Sequence, residues 1–164
     1  MSGKGSEGKP LIVVVRIRGR VGVRPDIRQT MDMLHVRRKF WATVVPASDS
    51  FLGMLFKVKD YTTYGEINRE TLVELLRRRG ELKAGGKLTD EWLRQNTEFQ
   101  SIEELADAML SGKVKLNKLG WLKPYFRLHP PSGGFKRTTK RGWRDGGELG
   151  YRGSAINELL RRMM

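Results

Sequence analysis

Leu11–Ile17 reads LIVVVRI: six of its seven residues are apolar and five are β-branched. Such a run predicts a buried strand, because branched side chains suit an extended, pleated backbone. RGRVGVRP follows, a cationic loop with two glycines. Pro25 suits the first position of a helix, and Asp26 the first turn, where the helix dipole favours an anion. Ile27, Met31 and Leu34 recur at helical spacing and are expected to face the core. The helix is expected to end in the cations Arg37, Arg38 and Lys39. FWATVV, Phe40 to Val45, predicts a second strand that Pro46 closes. Ser48 or Ser50 can cap a helix running through Leu52, Leu55 and Phe56 toward Lys59, with a third strand near Thr62 to Ile67. Strand, helix, strand, helix, strand over residues 10–67 predicts a small sheet with helices on one face.

Residues 68–120 change character and read as a helical insertion. Asn68 caps a helix carrying Leu72, Leu75 and Leu76 that Gly80 stops after Arg77, Arg78 and Arg79. Thr89 opens a short helix with Trp92 and Leu93. Ser101 and Glu104 have the spacing of a capping box, each side chain able to satisfy the other's free amide. Ile102, Leu105, Ala106 and Met109 follow, and Gly112 ends that helix. Glu103, Glu104 and Asp107 read as a solvated acidic face. Residues 121–164 read as a strand in PYFRLHPP, a basic glycine-rich loop, and a terminal helix capped by Ser154. Residues 1–9 read as a flexible tail. No hydrophobic region stands behind MSGKGSEGKP, so it is not expected to be a secretory signal. One compact unit is expected overall.

Composition narrows the function. The 164 residues are 38% hydrophobic and 30% charged, and 32 Lys and Arg against 18 Asp and Glu leave a net charge of +14. That imbalance repels itself, so a polyanionic partner is expected. The sequence has no cysteine, which removes disulfides, thiolate zinc sites and cysteine nucleophiles and fits a reducing cytoplasm. No apolar run nears the roughly 18 residues of a membrane span. The two histidines, His35 and His129, belong to no metal-spaced cluster. No serine sits in a nucleophile elbow, and Gly80 to Leu88 lacks both the spacing and the hydroxyl of a nucleotide-binding loop. No catalytic residue, metal, cofactor or small-molecule substrate is expected.

GGFKRTTKRGWRDGGELGYRG, Gly133 to Gly153, is the strongest signal. Lys136, Arg137, Lys140, Arg141 and Arg144 carry five positive charges with no anion before Asp145. Glycines disfavour a helix there by about 1 kcal/mol each, and burying unpaired cations costs several kcal/mol per ion. Phosphate oxygens would pair the cations and tolerate close approach by bare glycine backbone. Phe135, Trp143 and Tyr151 offer flat surfaces for unpaired bases, His129 beside them could stack or touch phosphate, and Arg152 adds charge. RGRVGVRPDIR makes a second basic site from Arg18, Arg20, Arg24 and Arg28, with helix-start amides able to hold a phosphate. Such loops are expected to take their shape on RNA.

RGRVGVRPDIRQTMDMLHVRR, FLGMLFKVKDYTTYGEI, LRRRGEL, LTDEWL, FRLHPPSGGFK and GGELGYRGSAINELL together resemble the archaeal-type large-subunit ribosomal protein thirty family. Its cytosolic eukaryotic counterpart is called large-subunit protein seven. The likeness runs from about Leu11 to Met163. It implies an α+β fold: a small three-stranded antiparallel sheet with two helices on one face (ferredoxin-like), extended by a helical insertion and a basic C-terminal part. It also implies binding to large-subunit ribosomal RNA near 5S RNA, neighbouring ribosomal proteins as partners, no membrane and no catalysis. The implied contacts are Arg18, Arg20, Arg24 and Arg28 in the first loop, and the GGFK segment with the cations after it. Lys57 and Lys59 of KVKDY join that expected set. The alternative reading is a non-ribosomal RNA-binding regulator or RNA chaperone using the same surfaces.

Overall fold

A computed structural model describes residues 10–164; the expected tail at residues 1–9 lies outside them. The described chain forms six α-helices and a six-stranded mixed sheet. In chain order these are β1 (Leu11–Arg16), α1 (Pro25–Met33), β2 (Trp41–Pro46), α2 (Asp49–Lys57), β3 (Thr62–Glu66), α3 (Arg69–Arg79), α4 (Asp90–Asn96), α5 (Ile102–Leu110), β4 (Phe126–Arg127), β5 (Thr138–Gly142), β6 (Gly147–Tyr151) and α6 (Ile156–Met163). The sheet order is β4-β2-β1-β3-β6-β5.

β1 lies between two antiparallel neighbours, with Val13 opposite Val44 of β2 and Gly65 of β3. Successive side chains of a strand point to opposite faces, and here both faces are covered. Leu11, Val13 and Val15 pack into one core with residues of α3, α5 and α6, while Ile12 and Val14 pack into a second with residues of α1 and α2. This explains why LIVVVRI is apolar throughout rather than alternating. Helices on one face describes α1 and α2; the segment expected as an insertion roofs the opposite face and shares its core.

Local caps follow the sequence closely. The side chains of Ser48, Asn68, Thr89 and Ser101 each accept a hydrogen bond from an amide three residues on. In the box at α5, however, the Glu104 carboxylate accepts from Gln100 N rather than from Ser101. Ser154 does not cap α6 with its hydroxyl. A 3-10 turn, Gly153–Ala155, leads into the helix, and Asn157 donates to the carbonyls of Ser154 and Glu66 while accepting from Asn68 N.

α1 stops earlier than expected. Val36 N donates to Met31 O and His35 adopts φ +63°, a left-handed turn that ends a helix. The turn buries Val36 and aims the carbonyls of Val36 and Arg37 at the Arg16 guanidinium, 3.0 Å from each. Arg16 is fully buried and donates also to Arg18 O and Gly19 O. The buried cation is thus satisfied by four backbone carbonyls rather than by an anion, and burial pulls its pKa down. The acidic face of α5 is not merely solvated, since Asp107 pairs with Arg69 at 2.6 Å and Glu103 pairs with Arg77, tying α5 to α3.

The sheet is larger than the three strands expected. β6 joins β3 in parallel, with Thr63 opposite Gly150, and β5 joins β6 in parallel. Much of the stretch from Gly133 to Gly153 is therefore strand rather than loop, with β6 inside the sheet and β5 at its edge.

Candidate nucleic-acid interface

Buried polar contacts hold the basic stretch to the sheet. Glu148 and Arg152 are buried, with their charged atoms 2.7 Å apart. Arg152 also donates to Thr63 Oγ1 on β3, and that hydroxyl donates to Gly150 O. The second Glu148 oxygen accepts from Arg137 N at 2.9 Å, which pins the start of β5. Burial lowers the Arg152 pKa, with Glu148 opposing the shift. The cation of Arg152 is spent inside the protein, so it positions the edge rather than reaching out from it.

On this frame Arg137, Lys140, Arg141 and Arg144 are exposed. The Arg137 guanidinium carbon lies 4.0 Å from the Trp143 ring centroid and that of Arg152 lies 4.6 Å away. Trp143 is thereby half-buried against cations. Tyr151 is 46% exposed, and its hydroxyl donates to both carboxylate oxygens of Glu66 at 2.7–2.8 Å. That carboxylate, more than burial, pushes the phenol pKa up.

The first basic loop lies against the end of α2 and the turn after it. Arg18, Arg20, Arg24 and Arg28 are all exposed. Arg24 and Lys57 both pair with Asp26, at 2.8 and 4.0 Å. Asp26 is held below the usual carboxylate range chiefly by the Arg24 hydrogen bond. Arg18 lies over the Tyr61 ring at 5.5 Å. Two residues past Lys57, Lys59 lines a cleft of about 380 Å³ together with Trp143, Arg144 and Tyr151. Two cationic segments far apart in sequence are joined by the turn between α2 and β3.

Three expected residues fall elsewhere. Phe135 stacks on Phe40 at 6.2 Å and packs against the core, so its ring has a structural duty. Lys136 pairs with Glu158 on α6 at 3.8 Å. His129 donates its backbone amide to Met163 O, and its Nδ1 lies 2.6 Å from Pro130 O. These flank α6, apart from the cleft. Sequence reasoning missed Glu148, whose spacing of four from Arg152 was the available signal. It also took Phe56 only as part of a helix; one residue past the buried Leu55, it turns off the core and is 66% exposed in the cleft wall.

Among the described residues no group of His, Cys, Asp and Glu could hold a metal ion, and no helix is long and apolar enough to cross a membrane.

Comparison with known proteins gives a consistent result. A family model described as ribosomal protein L30p/L7e matches residues 12–62, the span from β1 to the start of β3. The large ribosomal subunit protein uL30 of Korarchaeum cryptofilum is 69% identical over 155 residues, covering 94% of this chain and 96% of that protein. The protein of the same name from Staphylothermus marinus is 52% identical over 159 residues, covering 94% and 98%. That from Methanopyrus kandleri is 48% identical over 149 residues, covering 90% and 100%. The likeness therefore spans the insertion and the basic edge as well as the matched core.

Proposed function

The chain belongs to the ribosomal protein L30p/L7e family, and from that membership we propose that it is a structural constituent of the large ribosomal subunit that binds ribosomal RNA through its basic loops. The observation that carries this reading is near-full-length similarity to proteins named for that subunit. The charge supports it: a net +14 over the whole sequence suits a phosphate backbone. Its place is the ribosome in the cytoplasm, and no catalysis is asked of it.

The contacts that fit are Arg18, Arg20, Arg24, Arg28 and Lys57 of the first basic site and Arg137, Lys140 and Arg141 of the second, with Lys59 and Arg144 lining the cleft. Trp143 and Tyr151 supply ring surface between them. His129 and Lys136 make a separate, weaker patch, while Phe135 and Arg152 support the frame. The antiparallel order β2-β1-β3 with α1 and α2 on one face supports the finer ferredoxin-like description of the central part. A position near 5S RNA, with neighbouring ribosomal proteins against the remaining surface, completes the proposal.

Sedimentation tests it. The protein should stay with the large subunit at near-stoichiometric amounts through a moderate-salt wash. Recovery as free protein, with RNA binding intact, would instead favour a regulator or chaperone.

A further inference from the structure

The cleft beside Lys59 has features that phosphate binding alone does not require. It is open to solvent, with a volume of about 380 Å³, so a nucleotide could lie in it without a lid. Tyr64, Tyr151, Trp143 and Phe56 give it aromatic walls, and Lys59 and Arg144 bring positive charge. Phosphate contacts need charge but not rings; rings earn their place where a base is unstacked and laid against them.

Phe56 is the telling residue. It is 66% exposed although it sits on a helix whose neighbour Leu55 is fully buried. The Lys59 ammonium lies 5.3 Å from its ring centroid, so ring and cation are presented together. Tyr151 is held by the paired hydrogen bonds to Glu66, and Trp143 by the two guanidinium groups beside it. Rings fixed before binding lose little freedom when a base stacks on them. A double helix keeps its bases inside, so only an unpaired or extruded nucleotide can enter such a cleft.

We propose that the cleft walled by Phe56, Trp143 and Tyr151 is a pocket for one unpaired RNA nucleotide, its base stacked on Phe56 and its phosphate held by Lys59 and Arg144. The pocket rests on the RNA-binding reading above and adds to it a distinction between single-stranded and duplex RNA. The high positive charge selects RNA over an apolar protein segment as the occupant.

The test is fluorescence anisotropy with the full chain and two labelled probes, a short single-stranded oligouridylate and a blunt RNA duplex. Phe56→Ala should weaken binding of the single strand about tenfold and leave the duplex affinity unchanged. Phe56→Trp should keep single-strand binding, whereas Phe56→Leu, which keeps apolar bulk without a ring, should not. Wild-type affinity of Phe56→Ala for both probes overturns the pocket alone, and so does an equal loss on both. Failure of the wild-type chain to bind either probe at low salt overturns the pocket together with the RNA reading beneath it.

Discussion

A Glu148 carboxylate oxygen lies 2.7 Å from the Arg152 guanidinium, and less than a twentieth of either side chain is exposed. The pair is joined to β3 through Thr63 and to the start of β5 through the Arg137 amide. Two charges buried at this depth are tolerated because each compensates the other and the leftover donors and acceptors find partners. The basic edge is therefore folded by an ion pair of its own, and its outward cations are left to face a partner.

Removing one member should cost far more than removing both. Arg152→Met or Glu148→Leu alone is expected to destabilise the protein by about 3–5 kcal/mol, because an uncompensated buried charge remains. The double replacement Glu148→Leu with Arg152→Met should be much milder. Urea denaturation of the three variants measures the difference, and an additive double variant would contradict the pairing.

Lys140 and Arg141 project from β5 and have no role in the core. With roughly 6–10 phosphates contacted, RNA affinity should fall by about 10³–10⁵ between 50 and 200 mM salt. Replacing both by alanine should weaken binding and reduce the steepness of that dependence by about 1–2 in the log–log slope. Stability should change by less than about 0.5 kcal/mol. A filter-binding titration across salt decides it; an unchanged slope would remove these residues from the interface.

Gly65 allows β3 and the turn before α6 to touch. A Cβ there would stand 2.0 Å from Gly153 O, a backbone atom that no side-chain rotation can move. Gly65→Ala should therefore cost at least about 1–3 kcal/mol, the usual range for overpacking. The loss should appear as a lower midpoint in thermal unfolding, with amide protection falling first between β3 and α6 in hydrogen exchange.

Glu81 links the turn after α3 to β4, accepting from Arg127 Nε at 2.9 Å with Lys123 3.9 Å away. The Arg127 hydrogen bond is the main reason its carboxyl is held below the usual range. A carboxyl depressed in the folded state contributes stability above its unfolded pKa of about 4.3, and loses it as pH falls through the lower folded value. Arg127 is largely exposed, so the contribution should be about 1 kcal/mol or less. Glu81→Gln should remove that part of the acid limb in a stability-versus-pH profile while leaving its shape at neutral pH unchanged.

The central strands, the caps at Asn68, Thr89 and Ser101, and the basic character of both loops were legible in the sequence, whereas the choice of Ser48 over Ser50 as a cap was not. Each legible feature depends on neighbours within a few residues or on composition alone. The end of α1 was not legible, because its stop lies in His35 and Val36 turning toward a buried Arg16, and neither residue is a usual helix terminator. The candidate interface was legible as charge but not as shape. Along the chain Arg152 reads as one more exposed cation; only its burial with Glu148 takes it off the surface. Phe135 reads as a stacking surface, but its ring lies against Phe40.

The amino-acid order alone determined that this chain has a β-branched core strand, well-capped helices and a positive charge that calls for a polyanion. Tertiary structure alone decided that β1 serves two cores, that β5 and β6 extend the sheet in parallel, and that Lys59 and Trp143 line one cleft. The contact between Thr63 and Arg152 spans 89 residues. Periodicity and capping are read along the chain, whereas a buried charge or an aromatic cleft exists only after distant segments have closed upon each other and excluded water.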